Sequence, residues 1–265
     1  MVKIGTSGFS FDDWAGKVYP AGIKKEDMLS YYEKEMGFNA LEVNFSYYTL
    51  PSQKTMAGME KKTSDGFEFV VKGYRGMTHD PFDTRIKERP GAREAEENFK
   101  KFVYGIQPLA DKNKLGAVLL QFPVFFRPGD ESREYIIKSK ELLKGIPLVV
   151  EFRNSAWAEE GAGFLRDNGI GYCAVDEPKL PRLMPFVEEV TSDIGYLRFH
   201  GRNRNWFNAP LAERYNYLYT KDELKEFIEP VKRINGKAKK EFIFFNNCHS
   251  GSAVKNALML KDMIF

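Results

Sequence analysis

The feature that most constrains the fold is a repeated pattern of eight short apolar runs, each of which ends in polar residues. Helical patterns lie between the runs, so strand and helix alternate along the chain, which favours parallel strands joined by crossovers. Eight such strands, each with one functional end, are typical of a (β/α)8 TIM barrel, whose active site lies at the carboxyl ends of the strands. The runs are residues 2–5, 40–44, 67–71, 115–122, 147–152, 170–175, 196–199 and 241–245.

The chain length of 265 residues fits one such barrel, so we predict a single domain over residues 1–265. Long segments rich in Gly, Pro, Asn and aromatic residues follow strands one, three and seven. Loops of this length are usually functional or disordered. Because each of them follows a strand, we expect all three to cover the same end of the barrel. These loops are residues 6–23, 73–91 and 201–220, and the predicted helices are residues 24–36, 53–62, 92–109, 131–144, 156–168, 222–234 and 251–263.

The composition narrows the cellular context. A formal net charge of only +3 does not by itself indicate a nucleic-acid binder. No apolar stretch approaches the roughly 18 residues of a membrane span, so we expect no membrane partner. The chain starts without the charged and apolar regions of a signal peptide. Two cysteines, Cys173 and Cys248, are too few for a disulfide framework and fit a reducing compartment, so we predict a cytoplasmic protein.

Side chains two residues apart on one strand point to the same side of the sheet. Three strand ends each carry two polar residues at this spacing. If that side is the barrel interior, these groups converge at the mouth. We expect Glu42 to lie near Thr6, Ser7 and Lys72, and Asp176 to lie near Glu151 and Arg198. The pairs are Glu42 with Asn44, Glu151 with Arg153, and Arg198 with His200.

The polar strand ends give the candidate catalytic residues. Partly buried carboxylates and a histidine can act as general acids or bases. The alternative is that these groups only neutralise one another as internal ion pairs. The candidates are Glu42, Glu151, Asp176 and His200.

Cations, amides and aromatic rings near the same ends give the candidate ligand-binding residues. Arginine and lysine bind phosphate or carboxylate, and aromatic rings next to arginine stack on sugars or bases. Alternatively, many of the rings only pack the long loops onto the barrel. The cations are Lys72, Arg153 and Arg198; the amides are Asn44, Gln121, Asn246 and Asn247; the rings are Trp14, Tyr47, Trp157 and Tyr217. Two further histidines, His79 and His249, lie in the loops.

Motifs along the whole chain resemble the uncharacterised family called domain of unknown function 72, also described as YecE-like. The resemblance depends on the motifs together, because any one of them alone is weak. They are IGTSGFS at residues 4–10, DW at 13–14, YP at 19–20, EVNF at 42–45, YY at 47–48, TH at 78–79, QFP at 121–123, EFR at 151–153, DEP at 176–178, RFHGR at 198–202, YNY at 215–217 and FNN at 245–247.

The resemblance implies a TIM barrel with a distant similarity to the endonuclease IV and sugar-isomerase barrels, but it implies no reaction. Those relatives hold several metal ions through many histidines, whereas this chain has three histidines, so we expect no multi-zinc site. We predict no cofactor. One divalent cation, Mg²⁺ or Mn²⁺, with Glu42, Glu151 or Asp176 as its ligands, is left open.

Three functions are compatible with the sequence. The leading hypothesis is an enzyme that acts on a phosphate-bearing ligand, either a nucleic acid or a sugar phosphate, with Arg and Lys binding the anion and Glu moving a proton. The second is a nucleic-acid-binding protein without catalysis. The third is a glycoside hydrolase that uses Glu42 and Glu151 as its carboxylate pair. No feature of the sequence predicts a protein partner.

Overall fold

The computed structural model describes residues 1–89 and 91–265. Residue 90, within the predicted loop 73–91, lies outside the described residues. Eight parallel strands form one sheet in the order β1-β8-β7-β6-β5-β4-β3-β2, so the predicted (β/α)8 barrel is confirmed. The strands are β1 (Val2–Thr6), β2 (Ala40–Val43), β3 (Glu68–Lys72), β4 (Leu115–Gln121), β5 (Leu148–Glu151), β6 (Gly171–Asp176), β7 (Ile194–Phe199) and β8 (Lys240–Phe245).

Helices lie between the strands, and short helices also occur within two of the long loops. They are α1 (Met28–Lys34), α2 (Gln53–Glu60), α3 (Arg75–Thr78), α4 (Ala92–Asp111), α5 (Asp130–Leu142), α6 (Gly161–Asp167), α7 (Leu211–Arg214), α8 (Lys221–Lys225), α9 (Ile228–Lys237) and α10 (Ser252–Ile264). Within the described part of the chain, no helix combines the length and apolar character needed to cross a membrane.

The predicted helix over residues 222–234 is instead two helices, α8 and α9. A capping box formed by Thr220 and Glu223 starts α8. Pro230 lies in the first turn of α9, where its missing N–H is tolerated. In one continuous helix that N–H would have to donate to the carbonyl of Glu226, so the break falls where proline requires it.

The register of the parallel strands decides which polar side chains face the barrel interior. Residues paired across neighbouring strands point to the same side of the sheet. Gln121 pairs with Glu151, and Val175 pairs with Arg198. Alternation therefore places Glu151, Arg153, Arg198 and His200 on the inner side. The same alternation places Asp176, which pairs with Phe199, on the outer side facing the helices.

The barrel closes between β1 and β2 through few backbone contacts. Gly8 donates its N–H to the carbonyl of Glu42 at 2.8 Å. Lower in the seam, the buried Tyr32 hydroxyl accepts from the Thr6 N–H at 2.8 Å and donates to the Ala40 carbonyl at 3.2 Å. A Cβ on Gly5 would lie 2.0 Å from the Ala40 carbonyl oxygen, so the strands meet this closely only at glycine. The tyrosine hydroxyl thus bridges the two strands.

Replacing Tyr32 with Phe should lower the free energy of unfolding by about 1–3 kcal/mol, because the Thr6 N–H loses its partner inside the protein. The ring, which stacks on Phe38, is retained. Urea denaturation measures the effect. Tyr31→Phe is the matched control, since the Tyr31 hydroxyl has no hydrogen bond to any described residue. Equal stability of the two variants would contradict the bridging role of the hydroxyl.

Glu241, at the amino-terminal end of β8, is buried without a hydrogen-bond partner for either carboxylate oxygen among the described residues. Burial raises the pKa of Glu241 to about 8, because a charged carboxylate is poorly solvated there. The folded protein therefore holds this proton at neutral pH, whereas the unfolded chain releases it near pH 4.3, the usual value of glutamate.

The raised pKa of Glu241 predicts a pH-dependent stability. Below about pH 4, Glu241 is protonated in both the folded and the unfolded chain, so its contribution to the free energy of unfolding is at its maximum. Between about pH 4 and pH 8 the unfolded state binds fewer protons, and stability falls by about 1.4 kcal/mol per pH unit. Glu241→Gln should remove this fall in urea titrations across the range. The exposed Glu134→Gln should retain the wild-type slope; an unchanged slope in Glu241→Gln would refute the prediction.

Candidate functional site

A cavity of about 720 Å³ opens at the carboxyl ends of the strands. Its lining comes from residues at the strand ends and from the segments that follow the strands. It is lined by Ser7, Phe11, Asp13, Asn44, Tyr47, Tyr48, Lys72, His79, Gln121, Pro123, Val124, Arg153, Leu183, Trp206, Arg214, Tyr215, Asn246, Cys248 and His249. This size and mixture of aromatic and polar groups are typical of a small-molecule site.

Beneath the cavity, one arginine joins two carboxylates. The Arg198 guanidinium donates to Glu42 at 2.6 Å and to Glu151 at 2.5 Å. All three side chains are inaccessible to solvent. The hydroxyl of Tyr196 donates to the second oxygen of Glu42 at 2.7 Å. Both carboxylates are therefore ion-paired and hydrogen-bonded under the cavity, and neither lines its surface.

Glu151 is the centre of this buried network. Besides Arg198, it contacts the Arg153 Nε at 2.9 Å and the His200 Nε2 at 3.1 Å. Burial acts to raise the pKa of Glu151, but Arg198, His200 and Arg153 outweigh it and hold the pKa well below its usual range. Glu151 is thus a stable anion that fixes the cations around it.

His200 is held as a neutral ring with a defined tautomer. The Asn246 amide donates to His200 Nδ1 at 3.0 Å, which leaves the proton on Nε2, directed at Glu151. Burial, reinforced by Arg153, lowers the pKa of His200 to about 3. The ring therefore donates to Glu151 without carrying charge, and Asn246 continues from it to the cavity surface.

Lys72, at the end of β3, lies in the cavity wall. Its ammonium donates to the amide oxygen of Gln121 at 2.7 Å and lies 4.7 Å from the centre of the Tyr47 ring. Burial and the positive charge of Arg198 lower the pKa of Lys72 to about 7, while Glu151 and Glu42 act against them. A substantial fraction of this amine is consequently neutral at physiological pH.

His79 and Tyr47 form the wall next to Lys72. Their rings meet edge to face with centres 4.9 Å apart, and His79 Nδ1 lies 2.9 Å from the Thr78 hydroxyl. Burial lowers the pKa of His79 to about 3, and the charge of Lys72 adds to the effect. His79 is therefore a neutral hydrogen-bonding group in the cavity.

Two arginines also line the cavity. Arg153 is ion-paired with Glu177, lies 3.3 Å from the Tyr215 hydroxyl and faces the Trp206 ring at 5.5 Å. Arg214 donates its Nε to the Ala209 carbonyl at 3.3 Å. Its two terminal nitrogens have no protein acceptor among the described residues. Arg214 is thus free to bind a ligand.

The structure gathers most of the predicted site residues in two layers. Six line the cavity: Asn44, Tyr47, Lys72, Gln121, Arg153 and Asn246. Four lie directly below it in the buried network: Glu42, Glu151, Arg198 and His200. Five lie elsewhere: Asp176, Asn247, Trp14, Trp157 and Tyr217.

The expected contact of Asp176 with Glu151 and Arg198 is wrong. Asp176 points out of the barrel, where it accepts from Arg202 Nε at 3.0 Å and from the Tyr219 hydroxyl at 2.5 Å. Its position on β6 is one residue out of phase with the inward-facing set. The next residue, Glu177, is in phase and accepts from Arg153 instead.

The two tryptophans predicted to bind a ligand, Trp14 and Trp157, instead pack inside the protein. Trp14 is fully buried and donates its indole N–H to the Cys248 carbonyl at 2.7 Å. Trp157 is fully buried, stacks on Phe152 with ring centres 4.3 Å apart and donates to the Phe126 carbonyl. Both rings hold loops against the barrel, which was the alternative that the sequence left open for its aromatic residues.

Asn247 and Tyr217 also contribute away from the cavity. Asn247, one residue out of phase with Asn246, is buried and donates to the Tyr217 carbonyl at 2.8 Å and to Asn256. The Tyr217 hydroxyl donates to Glu223 at 2.5 Å. These contacts attach the segment after β7 to α8 and α10.

Sequence reasoning missed Arg214, Leu183 and Glu177. Arg214 ends the single-turn helix α7 within the long loop after β7, and Leu183 lies in the irregular segment after β6; neither belongs to a stretch long enough for periodicity to relate sequence position to direction. Glu177 carried a detectable signal, because it follows Val175 at the spacing of two that defines the inner side.

The carboxylates considered for a divalent cation are not brought together. Glu42 and Glu151 accept from the same arginine, and Asp176 lies on the other side of the sheet. In the described ranges, no group of three or more His, Cys, Asp and Glu side chains is placed to hold one metal ion. This donor set therefore does not fit a single-cation site.

The fold and the cavity define a (β/α)8 barrel with a small-molecule-sized site at its carboxyl-terminal mouth. The model of the family described as "Protein of unknown function DUF72" matches residues 3–265. The chain therefore belongs to the DUF72 family, as the sequence motifs predicted.

Relatives in three bacteria match this chain over its whole length. A DUF72 protein of Thermotoga maritima is 42% identical with a TM-score of 0.90, covering 100% of this chain and 99% of its own. One from Enterococcus faecalis is 28% identical with a TM-score of 0.84, covering 100% and 95%. The UPF0759 protein YunF of Bacillus subtilis is 29% identical over 100% of this chain and 95% of its own sequence.

Replacing Arg198 with Met should lower the free energy of unfolding by about 3–5 kcal/mol, because two buried carboxylates lose their shared counter-ion. The loss should shrink at acid pH, where the carboxylates can bind protons. Chemical denaturation at two pH values measures both effects. Arg166→Met, which removes an exposed ion pair with Glu189, should cost no more than about 1 kcal/mol. Similar losses in both variants would contradict a central role for Arg198.

Proposed function

We propose that this protein is an enzyme that binds a phosphate-bearing small molecule, a nucleotide or sugar phosphate, in the cavity at the barrel mouth. The observation that carries the proposal is the charge of the cavity lining. Three cationic side chains, Lys72, Arg153 and Arg214, line it against one carboxylate, Asp13. The acidic residues Glu42 and Glu151 lie below the cavity, inaccessible to solvent and ion-paired with Arg198, and do not line it. A ligand in the cavity thus meets cations, which suits an anion.

The cations differ in how much of their binding capacity is already used. Arg153 already forms ion pairs with Glu151 and Glu177, so it contributes positive charge and a fixed wall to the cavity. The terminal nitrogens of Arg214 donate no hydrogen bond to a described residue. A guanidinium can donate two parallel hydrogen bonds to two oxygens of one phosphate. We therefore assign the phosphate contact to Arg214, with Arg153 as support.

Aromatic and amide groups suit the remainder of such a ligand. Tyr47, Tyr48, Trp206 and Tyr215 line the cavity and can stack on a base or a sugar ring. The Oδ1 of Asn44 is buried and has no hydrogen-bond partner within the described residues. A buried acceptor without a partner favours a ligand hydroxyl or amino group at this position.

Catalysis is supported by Lys72. Its amine exchanges a proton near neutral pH, the condition under which a general acid or base is most effective. It lies in the cavity wall beside an amide and an aromatic ring and forms no ion pair with a carboxylate among the described residues. We infer that Lys72 is the reactive group of the enzyme.

The other two hypotheses from the sequence have less support. A glycoside hydrolase would need Glu42 and Glu151 at the substrate, but both share Arg198 and are inaccessible. Nucleic-acid binding without catalysis would suit a broad basic surface, whereas the net charge is +3 and the cations lie inside a concave cavity.

Calorimetric titration with adenosine 5′-monophosphate and ribose 5-phosphate tests the phosphate site, with adenosine and ribose as the uncharged counterparts. The phosphorylated probes should bind more tightly, and Arg214→Met should weaken them roughly tenfold or more, because a charge-assisted hydrogen bond contributes about 1.5–3 kcal/mol. Arg233→Met, on the exposed surface beside Glu188, is the matched control. Equal binding of phosphorylated and uncharged probes would refute the proposal.

A further inference from the structure

We propose that Lys72 is a nucleophile that forms an imine with the carbonyl carbon of a phosphorylated aldehyde or ketone. The inference rests on the proposed phosphate-binding function and names its substrate class. It starts from the position of the Lys72 amine, which lies at the carboxyl end of β3, in the wall of the cavity and within reach of a bound molecule.

Lys72 differs from the other well-shielded lysines of the barrel in its partners. Lys114 contacts Glu60 at 3.0 Å, and Lys240 contacts Glu68 at 2.5 Å. Lys3 lies 3.4 Å from the same Glu68. Each of these ammonium groups is thus paired with a carboxylate. Lys72 instead donates to the neutral amide of Gln121, so no adjacent carboxylate stabilises its charge.

The surroundings of Lys72 favour the neutral amine that a nucleophile requires. Burial and the nearby Arg198 lower its pKa to about 7. A desolvated lysine next to other cations is a recognised form of activated amine. Glu151 and Glu42 act in the opposite direction on the Lys72 pKa, but both carboxylates are ion-paired with arginines and do not outweigh burial and Arg198.

The reaction is balanced without any further reagent. The neutral Lys72 nitrogen adds to the carbonyl carbon, and its proton moves to the oxygen to give a carbinolamine. The C–O bond then breaks, the hydroxyl leaves as water with the second nitrogen proton, and a C=N bond remains. The unpartnered Oδ1 of Asn44 in the same cavity can accept a hydrogen bond from the carbinolamine or from a substrate hydroxyl.

The ligand implied by these groups carries a carbonyl for Lys72, a phosphate for Arg214 and hydroxyls for the amides. The cavity has room for such a compound, since its volume of about 720 Å³ falls within the range of small-molecule sites. A phosphorylated hydroxy-aldehyde or hydroxy-ketone satisfies all three requirements.

Reductive trapping tests the imine. The whole protein is incubated with dihydroxyacetone phosphate or glyceraldehyde 3-phosphate and sodium borohydride, which reduces C=N to a stable secondary amine. Intact mass and peptide mapping should find one adduct, on Lys72. At pH 7 about half of Lys72 is neutral, against on the order of one in a thousand for an ordinary lysine, so labelling of Lys72 should exceed that of any other lysine at least about tenfold.

Variants and pH identify the reacting amine. Lys72→Met and Lys72→Arg should both lose the adduct, and the Arg variant retains the positive charge if the Met variant fails to fold. Lys255→Arg, on the exposed surface of α10, should keep it. The yield should rise with a midpoint near pH 7. Adducts spread over surface lysines with Lys72 unmodified would overturn the inference.

The two proposals fail separately. If phosphorylated probes bind in an Arg214-dependent way but no adduct forms on Lys72, the imine is wrong and the phosphate site stands. If dihydroxyacetone labels Lys72 as well as its phosphate ester does, the amine is reactive but the phosphate site is wrong.

Discussion

The shared ion pair of Arg198 with Glu42 and Glu151 is the interaction on which the mouth of the barrel depends. A carboxylate or guanidinium in a dry interior is costly unless its charge is balanced and its hydrogen bonds are made. Arg198 forms ion pairs with carboxylates from β2 and β5 at once, and Arg153 supplies a second positive charge beside Glu151. Glu151 then fixes Arg153 and His200, and His200 fixes Asn246 at the cavity surface. The polar floor is thereby rigid, and the groups above it are presented to solvent in defined positions.

The polar residues at the strand ends therefore form two groups: a buried network that holds its neighbours in place, and side chains that line the cavity. Glu151 is held as an anion and His200 as a neutral donor, because both pKa values are lowered: the neighbouring cations stabilise the charged form of Glu151, whereas burial and Arg153 disfavour a charge on His200. Lys72 stands apart, since its charge is balanced by no adjacent carboxylate and it exchanges its proton close to pH 7. A group of this kind above a fixed floor is the arrangement from which we infer chemistry at Lys72.

The fold could be predicted from the sequence because eight strand ends repeat one pattern, and a spacing of two fixes which side chains share a side. The same rule explains the site: Glu42, Glu151, Arg198 and His200 converge as expected, whereas Asp176 and Asn247 lie one residue out of phase and face the helices. The pattern could not predict how deeply each residue lies below the barrel mouth. Glu42 and Glu151, which we expected at the substrate, are therefore found buried beneath the cavity. The pattern also could not orient the long connections with their short helices, which is why Arg214 was missed and why the inward packing of Trp14 and Trp157 was not distinguished from ligand binding.

The seam between β1 and β2 has a consequence for the order of assembly. These strands are neighbours in sequence, yet β1 obtains its continuous ladder from β8, more than two hundred residues away, while a tyrosine hydroxyl spans much of its other edge. The first strand to leave the ribosome therefore gains a full partner only after the last one has been made. Closing so long a loop carries a high entropic cost before any contact compensates it. The barrel should accordingly exist during synthesis as an open, curved sheet whose first strand waits for the carboxyl-terminal segment.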